Sequence, residues 1–213
     1  MCPRNADTFV MNDDILNRLE GDVQVYFSVD SIDATDEQER LNFQTEFLNT
    51  ITPSGMPPHQ LKLKVGSIIM LLLNLNTKRG LCNGTRLIVT DLKPNLIIGT
   101  VLSGRAKDQS IFVPRIDLAP SDSNMPFTLR RRQFPVRVAF AMTINKSQGQ
   151  TLGKVGICLR EPVFSHGQLY VAFSRVTSKS NVKLKIFESI THGQIKQGSK
   201  SVFTRNVVYK EVL

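Results

Sequence analysis

The sequence predicts an α/β chain in which a small antiparallel β-barrel interrupts a domain built on a parallel sheet. Three observations carry that prediction. A helix signal with a cap at Asn5 opens the chain. Short apolar runs broken by turn residues fill the middle. After Arg130-Arg131-Arg132 the order becomes strand, polar loop, strand, helix, strand.

Asn5 is placed to cap a helix running to about Leu19, with Asp7 in its first turn and Gly21 just past its end. Val23, Val25, Phe27 and Val29 alternate with other residues, the period of a strand. Residues 30 to 40 are acidic and polar and read as an exposed link. Pro53, Pro57 and Pro58 mark an irregular stretch and a domain boundary. The apolar runs then follow: Val65 to Leu73, Arg86 to Leu92, Leu96 to Leu102 and Ile111 to Val113. Lys78-Arg79-Gly80, Asn83-Gly84, Lys93-Pro94-Asn95 and Ser103-Gly104 supply the turns between them. That is the pattern of a meander closing into a small barrel. Val136 to Met142 and Val155 to Leu159 read as strands. Ser165-x-x-Gln168 is a capping box opening a helix to about Val176, and Val182 to Phe187 is a further strand. The polar and basic final 25 or so residues match no element.

Composition excludes several classes. With 41% apolar and 21% charged residues, the chain has the balance of a soluble globular protein. Its longest apolar run, Ile68 to Leu73, is strand-sized, against the roughly 20 residues of a membrane helix. The opening residues lack the apolar core of a signal peptide, so an intracellular location, nucleus or mitochondrion, is expected, with no membrane partner. Cys2, Cys82 and Cys158 lie far apart without a CxxC pair and read as reduced thiols. The Asn-x-Ser/Thr matches at Asn83 and Asn145 are then chance matches. The net charge of +9 is uneven: residues 1 to 60 carry 3 Lys or Arg against 11 Asp or Glu, and residues 61 to 213 carry 24 against 7. A region so basic attracts a polyanion, although a solvated surface has the same composition.

The loop from Thr143 to Thr151 follows a buried-looking strand, where open α/β sheets place ligands. Lys146 offers a point charge for phosphate, Ser147, Gln148 and Thr151 offer neutral donors, and Gly149 allows close backbone approach. A polar connection with no ligand would look the same. Arg175, near the end of the short helix, is either a complement to the helix dipole or an arginine finger for a transferring phosphoryl group. Its position alone does not choose between the two.

Taken together, these segments are more specific. Ala139-Phe140-Ala141-Met142-Thr143-Ile144-Asn145-Lys146-Ser147-Gln148-Gly149-Gln150-Thr151-Leu152 resembles helicase motif V, and Gly167-Gln168-Leu169-Tyr170-Val171-Ala172-Phe173-Ser174-Arg175 resembles motif VI, of the Pif (petite-integration-frequency) helicases. These are the RecD-like branch of superfamily one, and the wording is similar to that of Helitron-borne members. Leu61 to Val89 is similar to the family's Src-homology-3-like 2B insert, and Cys2-Pro3-Arg4-Asn5 with its helix to the motif IV region. Asn145 stands where many members have His, and Phe173 where many have Leu.

The resemblance implies a second RecA-like domain (P-loop NTPase type) with an inserted β-barrel. Residues 1–45 would begin the RecA-like domain, 46–130 form the barrel, 131–190 complete the domain and 191–213 form a tail. It implies an arginine finger at Arg175, nucleotide contacts from Gly149, Gln150 and Arg175, and DNA contacts from Thr143, Asn145, Lys146, Ser147 and Gln148. Single-stranded DNA and duplex junctions would be the partners, and ATP with Mg²⁺ the cofactors. No P-loop of the form G-x-x-x-x-G-K-[ST] occurs. The nearest stretch, Gly149-x-x-x-Gly153-Lys154-Val155, is one residue short and lacks the hydroxyl, and no apolar strand ends in an Asp-Glu pair. The expectation is therefore the C-terminal half of an ATP-dependent 5′-to-3′ DNA helicase, inactive alone. A first RecA-like domain, in cis or in trans, would hold most of the ATP and Mg²⁺. The competing expectation is a non-enzymatic single-strand-binding module or an inactive transposon-derived remnant.

Overall fold

The computed structural model describes residues 1–33, 43–120, 125–188, 192–195, 198 and 201–209. The chain divides into two compact units: Met1–Asp14 with Ala141–Leu213, and Ile15–Phe140. The second unit is wider than the span 46–130, because it takes in strands on both sides of it.

In the first unit, helix α1 (Asn5–Arg18) begins within the unit and carries Asp7 in its first turn and Arg18 in its last, the charges its dipole favours. Asn12 on this helix is buried, and its side-chain amide grips the backbone of Ala141 from both sides. Its Oδ1 accepts from the Ala141 N–H at 2.7 Å, and its Nδ2 donates to the Ala141 carbonyl at 3.3 Å. Parallel pairing organises the rest. The strand β11 (Val155–Leu159) pairs in parallel with β12 (Val182–Ile186). On the other side of β11, Met1 accepts from the Cys158 N–H at 2.8 Å. Cys2 in turn forms a parallel bridge to Thr143, its N–H donating to Met142 and its carbonyl accepting from Ile144. The lanes thus run 142–144, 1–2, β11, β12. Ile144, Val155, Ile157, Leu159, Val163 and Ala172 form the core beneath them. Burial raises the Cys2 thiol above its ordinary pKa, the condition of an inert rather than a reactive cysteine. The tail contributes His192, buried, with one ring nitrogen on the Leu159 carbonyl and the other on Thr204.

In the second unit, a five-stranded antiparallel sheet has the order β10-β4-β5-β6-β7: β10 (Val136–Val138), β4 (Ile68–Leu71), β5 (Arg86–Lys93), β6 (Leu96–Val101) and β7 (Ser110–Pro114). Alternate residues of β4, β6 and β7 point inward, the period of two that a half-buried sheet requires. A two-stranded sheet of β1 (Gln24–Phe27) and β3 (Gln60–Leu63) adds Tyr26, Leu61 and Leu63 to the same core. A three-stranded sheet has the order β2-β9-β8: β2 (Val29–Asp33), β9 (Thr128–Gln133) and β8 (Ile116–Leu118). It meets the short helix α2 (Thr45–Thr50) over a separate core of Ile32, Leu48, Met56 and Leu129.

Several expectations change here. The stretch from residue 30 is not an exposed link at its start: β2 buries Asp30 and Ile32, and residues 34–42 lie outside the described residues. The run Val65 to Leu73 contracts to β4, since Gly66 turns the chain at φ +86°. The strand expected over Val136 to Met142 is three residues long. The triple arginine is not a boundary but the middle of β9, with Leu129, Arg131 and Gln133 inward and Arg130 and Arg132 outward.

Arg131 has no exposed side-chain surface. Its Nε and one Nη form a bidentate pair with Asp30 at 2.8 and 2.6 Å, and the remaining donors go to the carbonyls of Pro57 (3.0 Å), Ile51 (2.9 Å) and Leu48 (3.2 Å). Ser28 donates to Asp30 at 2.7 Å. A buried pair so fully hydrogen-bonded orders whatever it touches, and here it gathers β2, β9 and the proline-rich stretch after α2. Removing one partner leaves an uncompensated buried charge, a loss of about 3–5 kcal/mol. Asp30→Ala is therefore expected to lower the unfolding free energy by about that amount in urea titrations followed by circular dichroism. A loss under about 1 kcal/mol would contradict the role given to the pair.

Candidate functional site

The polar loop predicted between Thr143 and Thr151 lies in the first unit and is folded tightly on itself. Asn145–Ser147 form one turn of 3₁₀ helix. The Ser147 hydroxyl, fully buried, donates to the Ile144 carbonyl at 2.6 Å. Gln150 donates from its side chain to the Lys146 carbonyl at 3.2 Å and from its backbone to Ser147 at 3.0 Å. Gly149 has φ +79°, and an added Cβ would meet nothing within 4 Å. Backbone conformation, not crowding, is what calls for glycine at this position.

The loop sorts the predicted residues into two groups. Asn145, Lys146, Gln148, Gly149 and Gln150 are exposed. Thr143 and Ser147 are buried, Thr143 in the sheet lane that pairs with Cys2 and Ser147 under the turn it closes. The exposed group offers a cation, three amides and an accessible backbone; the buried pair fixes the shape of the loop that presents them.

Arg175 joins this loop to the helix α3 (Gln168–Phe173). Its side chain is half-buried. Nε donates to the Val171 carbonyl at 2.9 Å, one Nη to the Gln150 carbonyl at 3.1 Å and the Ser147 carbonyl at 3.5 Å, and the other Nη to the Ser174 hydroxyl at 2.8 Å. The Arg175 carbonyl accepts from the Leu152 N–H at 2.8 Å. The guanidinium therefore lies on loop and helix carbonyls rather than serving the α3 dipole alone. All its acceptors are neutral, so its charge is not cancelled by a carboxylate in these contacts. This is a cation suited to a phosphate. Among the described residues no group of three or more His, Cys, Asp or Glu is placed to hold a metal ion.

Gln168 has a role that the sequence did not reveal. The expected capping box would start the helix at Ser165, but α3 starts at Gln168, after Gly167 in the left-handed region with no side-chain cap. It also ends at Phe173 rather than near Val176. The Gln168 amide is instead buried between three segments. Its oxygen accepts from the Phe164 N–H at 3.2 Å, and its nitrogen donates to the Pro3 carbonyl at 3.3 Å and to Asn145 Oδ1 at 3.2 Å. Asn145 is thereby held by a residue of the motif VI-like segment. The only available signal was a polar residue at the head of an apolar helix, which the local capping pattern accounts for equally well.

The chain is similar to several known proteins. A model of the DNA helicase Pif1 2B domain matches residues 46–92. ATP-dependent DNA helicase PIF1 from Danio rerio is 32% identical over 196 residues, 88% of this chain and 27% of its own length. The Homo sapiens protein of the same name is 31% identical over 194 residues with the same shares. Pif1 from Campylobacter jejuni is 26% identical over 201 residues, 91% of this chain and 43% of its own length. Among solved structures, Pif1 helicase from Candida albicans has a TM-score of 0.65 at 28% identity, over 87% of this chain and 44% of that one. Pif1 from Bacteroides in complex with ADP-AlF3 and ssDNA has a TM-score of 0.64 at 28% identity, over 89% and 40%. The chain thus spans from 27% to 44% of the length of these proteins.

Replacing Arg175 with Ala removes the donors that hold the loop carbonyls. A hydrogen bond to a charged group contributes about 1.5–3 kcal/mol, so amide exchange over residues 147–152 is expected to accelerate by roughly tenfold or more, with β5 and β6 unaffected. Hydrogen–deuterium exchange by mass spectrometry measures it. Unchanged protection in the loop would mean that the arginine does not support it.

Proposed function

Homology to the Pif1 ATP-dependent DNA helicases over most of the chain is the premise from which we propose that this protein supplies the second RecA-like domain, with its Src-homology-3-like insert, of a 5′-to-3′ DNA helicase. The observation that carries the reading is the link from Arg175 to the Ser147 and Gln150 carbonyls. In this reading Arg175 is the arginine finger for the γ-phosphate of ATP, with Gly149 and Gln150 beside it. Asn145, Lys146 and Gln148 hold the backbone of single-stranded DNA, with Thr143 and Ser147 shaping the loop. One guanidinium then touches both the nucleotide and the segment that grips the strand, so that closure on ATP alters that grip.

The residues here fit part of the nucleotide site only. Arg175 suits a phosphate, but the described residues include neither a metal-binding cluster nor a Gly-rich phosphate cradle. A first RecA-like domain, joined to the chain or separate, would hold Mg²⁺ and the triphosphate. It would supply metal-assisted phosphoryl transfer. This chain's part is to neutralise charge developing on the γ-phosphate and to hold DNA.

The test joins a P-loop-bearing first domain from a Pif1 relative to this chain. DNA-stimulated ATP turnover is expected from the fusion and none from the 213-residue chain alone. Arg175→Lys in the fusion should lower kcat by roughly 10³, because lysine lacks the fork that matches a transferring phosphoryl group. Turnover by the lone chain, or full activity of the lysine variant, would overturn the assignment.

A further inference from the structure

Two loops of the second unit bring four cations to one place. The first is the turn carrying Lys78 and Arg79, and the second is the hairpin between β6 and β7 carrying Arg105 and Lys107. They touch at Gly80: a Cβ added there would lie 3.2 Å from Arg105 Cβ and 3.8 Å from the Ala106 nitrogen. The side chains of Lys78, Arg79, Arg105 and Lys107 are all exposed.

Both loops are anchored rather than loose. Leu81 and Ala106, next to the cations, are buried in the main core of the unit. Arg79 donates its N–H to Asn76 Oδ1 at 3.1 Å, Gly80 donates to Thr77 at 3.1 Å and Lys107 to Gly104 at 3.1 Å. Charges set on short, internally bonded turns lose little freedom when they meet a ligand.

Carboxylates compensate four other cations of this unit. Arg130 meets Asp33 at 3.0 Å, Arg131 meets Asp30 at 2.6 Å, Arg132 meets Asp117 at 3.9 Å and Lys93 meets Asp91 at 2.9 Å. At the two touching loops the one carboxylate is Asp108, 4.0 Å from Lys107. Lys78, Arg79 and Arg105 have no carboxylate within salt-bridge distance among the described residues. The loops also lack any aromatic side chain on which a base could stack. We propose that this pair of loops is a second nucleic-acid contact, separate in sequence from the Thr143–Thr151 loop, that grips the phosphate backbone without reading bases. The inference rests on the DNA-motor reading for its choice of polyanion.

The experiment is a salt titration of the full chain on fluorescent oligodeoxythymidylate, read by anisotropy. A cation that contacts phosphate contributes about 0.7 to the slope of log affinity against log salt on a single strand. The triple variant Lys78→Gln, Arg79→Gln, Arg105→Gln is expected to lower that slope by about 2, whereas Lys93→Gln, a compensated cation of the same unit, leaves it unchanged. Thermal melting by circular dichroism should match between wild type and triple variant, since the changed side chains are exposed. Arg79→Lys in the otherwise native chain should retain the slope. An unchanged slope in the triple variant, while the wild type binds DNA, overturns the loop contact alone. A wild type that binds no DNA overturns both this contact and the reading beneath it. Equal binding of polyglutamate, lost in the triple variant, would replace nucleic acid by a general polyanion and also overturn the proposal.

Discussion

The contact between the Arg175 guanidinium and the carbonyls of Ser147 and Gln150 is the constraint on which the candidate site depends. A loop dense in amides and hydroxyls has many conformations open to it, and its own turns settle only part of the choice. The arginine settles more, because it donates to both ends of the 147–150 turn while its own backbone carbonyl takes the Leu152 N–H. The loop and the helix before Arg175 are therefore tied to each other. Gln168 adds a second tie on the other side, joining Asn145 to Pro3 and Phe164. Three segments distant in sequence meet through two side chains, both of which belong to the motif VI-like stretch.

The second unit uses the same device in a more buried form. All three guanidinium nitrogens of Arg131 donate, to Asp30 and to three carbonyls, and the segment they hold is the end of α2 and the proline-rich stretch after it. Apolar packing alone would fix that segment weakly, since Leu48 and Met56 are its main contributions to the small core. Main-chain carbonyls that find no partner in a sheet are satisfied by a guanidinium instead, which removes the desolvation cost of burying them. In both units an arginine thus acts as a substitute for backbone pairing where the chain is irregular.

These examples also explain what was legible in the sequence. Helix α1 and strands β5, β6, β7, β11 and β12 follow local patterns of composition and turn residues, and the structure places them within a few residues of where those patterns put them, with Asn5 the first residue of α1 rather than its cap. The loop from Thr143 was recognisable because its composition changes sharply after an apolar run. Strand β9 was not, because three consecutive arginines look alike in sequence; only the alternation of Leu129, Arg131 and Gln133 separates the inward residue from its neighbours. Gln168 was misread for a related reason. Its local spacing from Ser165 suits a cap, whereas its actual partners lie 165, 23 and 4 residues away. The two long-range contacts are set by the sheet order, and no short window of sequence contains them.

The same long-range geometry bears on how a nucleotide-linked signal could reach DNA. In the structure the acceptors of Arg175 are neutral carbonyls and a hydroxyl, each a weaker partner for a guanidinium than a phosphate oxygen. An anion brought to this face competes for donors that now shape the loop. Only some need be given up: Nε is held at 2.9 Å by Val171 on the same helix, whereas the Nη contact to Ser147 is already stretched to 3.5 Å. The stem would stay fixed while the fork changes partners, and what changes is the hold on Ser147 and Gln150. Gln148 lies within that turn and Lys146 directly precedes it, so the exposed groups offered to a DNA strand lie in or next to the backbone that is released. On the proposed reading, coupling needs no rearrangement of the core. It needs one forked side chain with a firm inner contact and weaker outer ones.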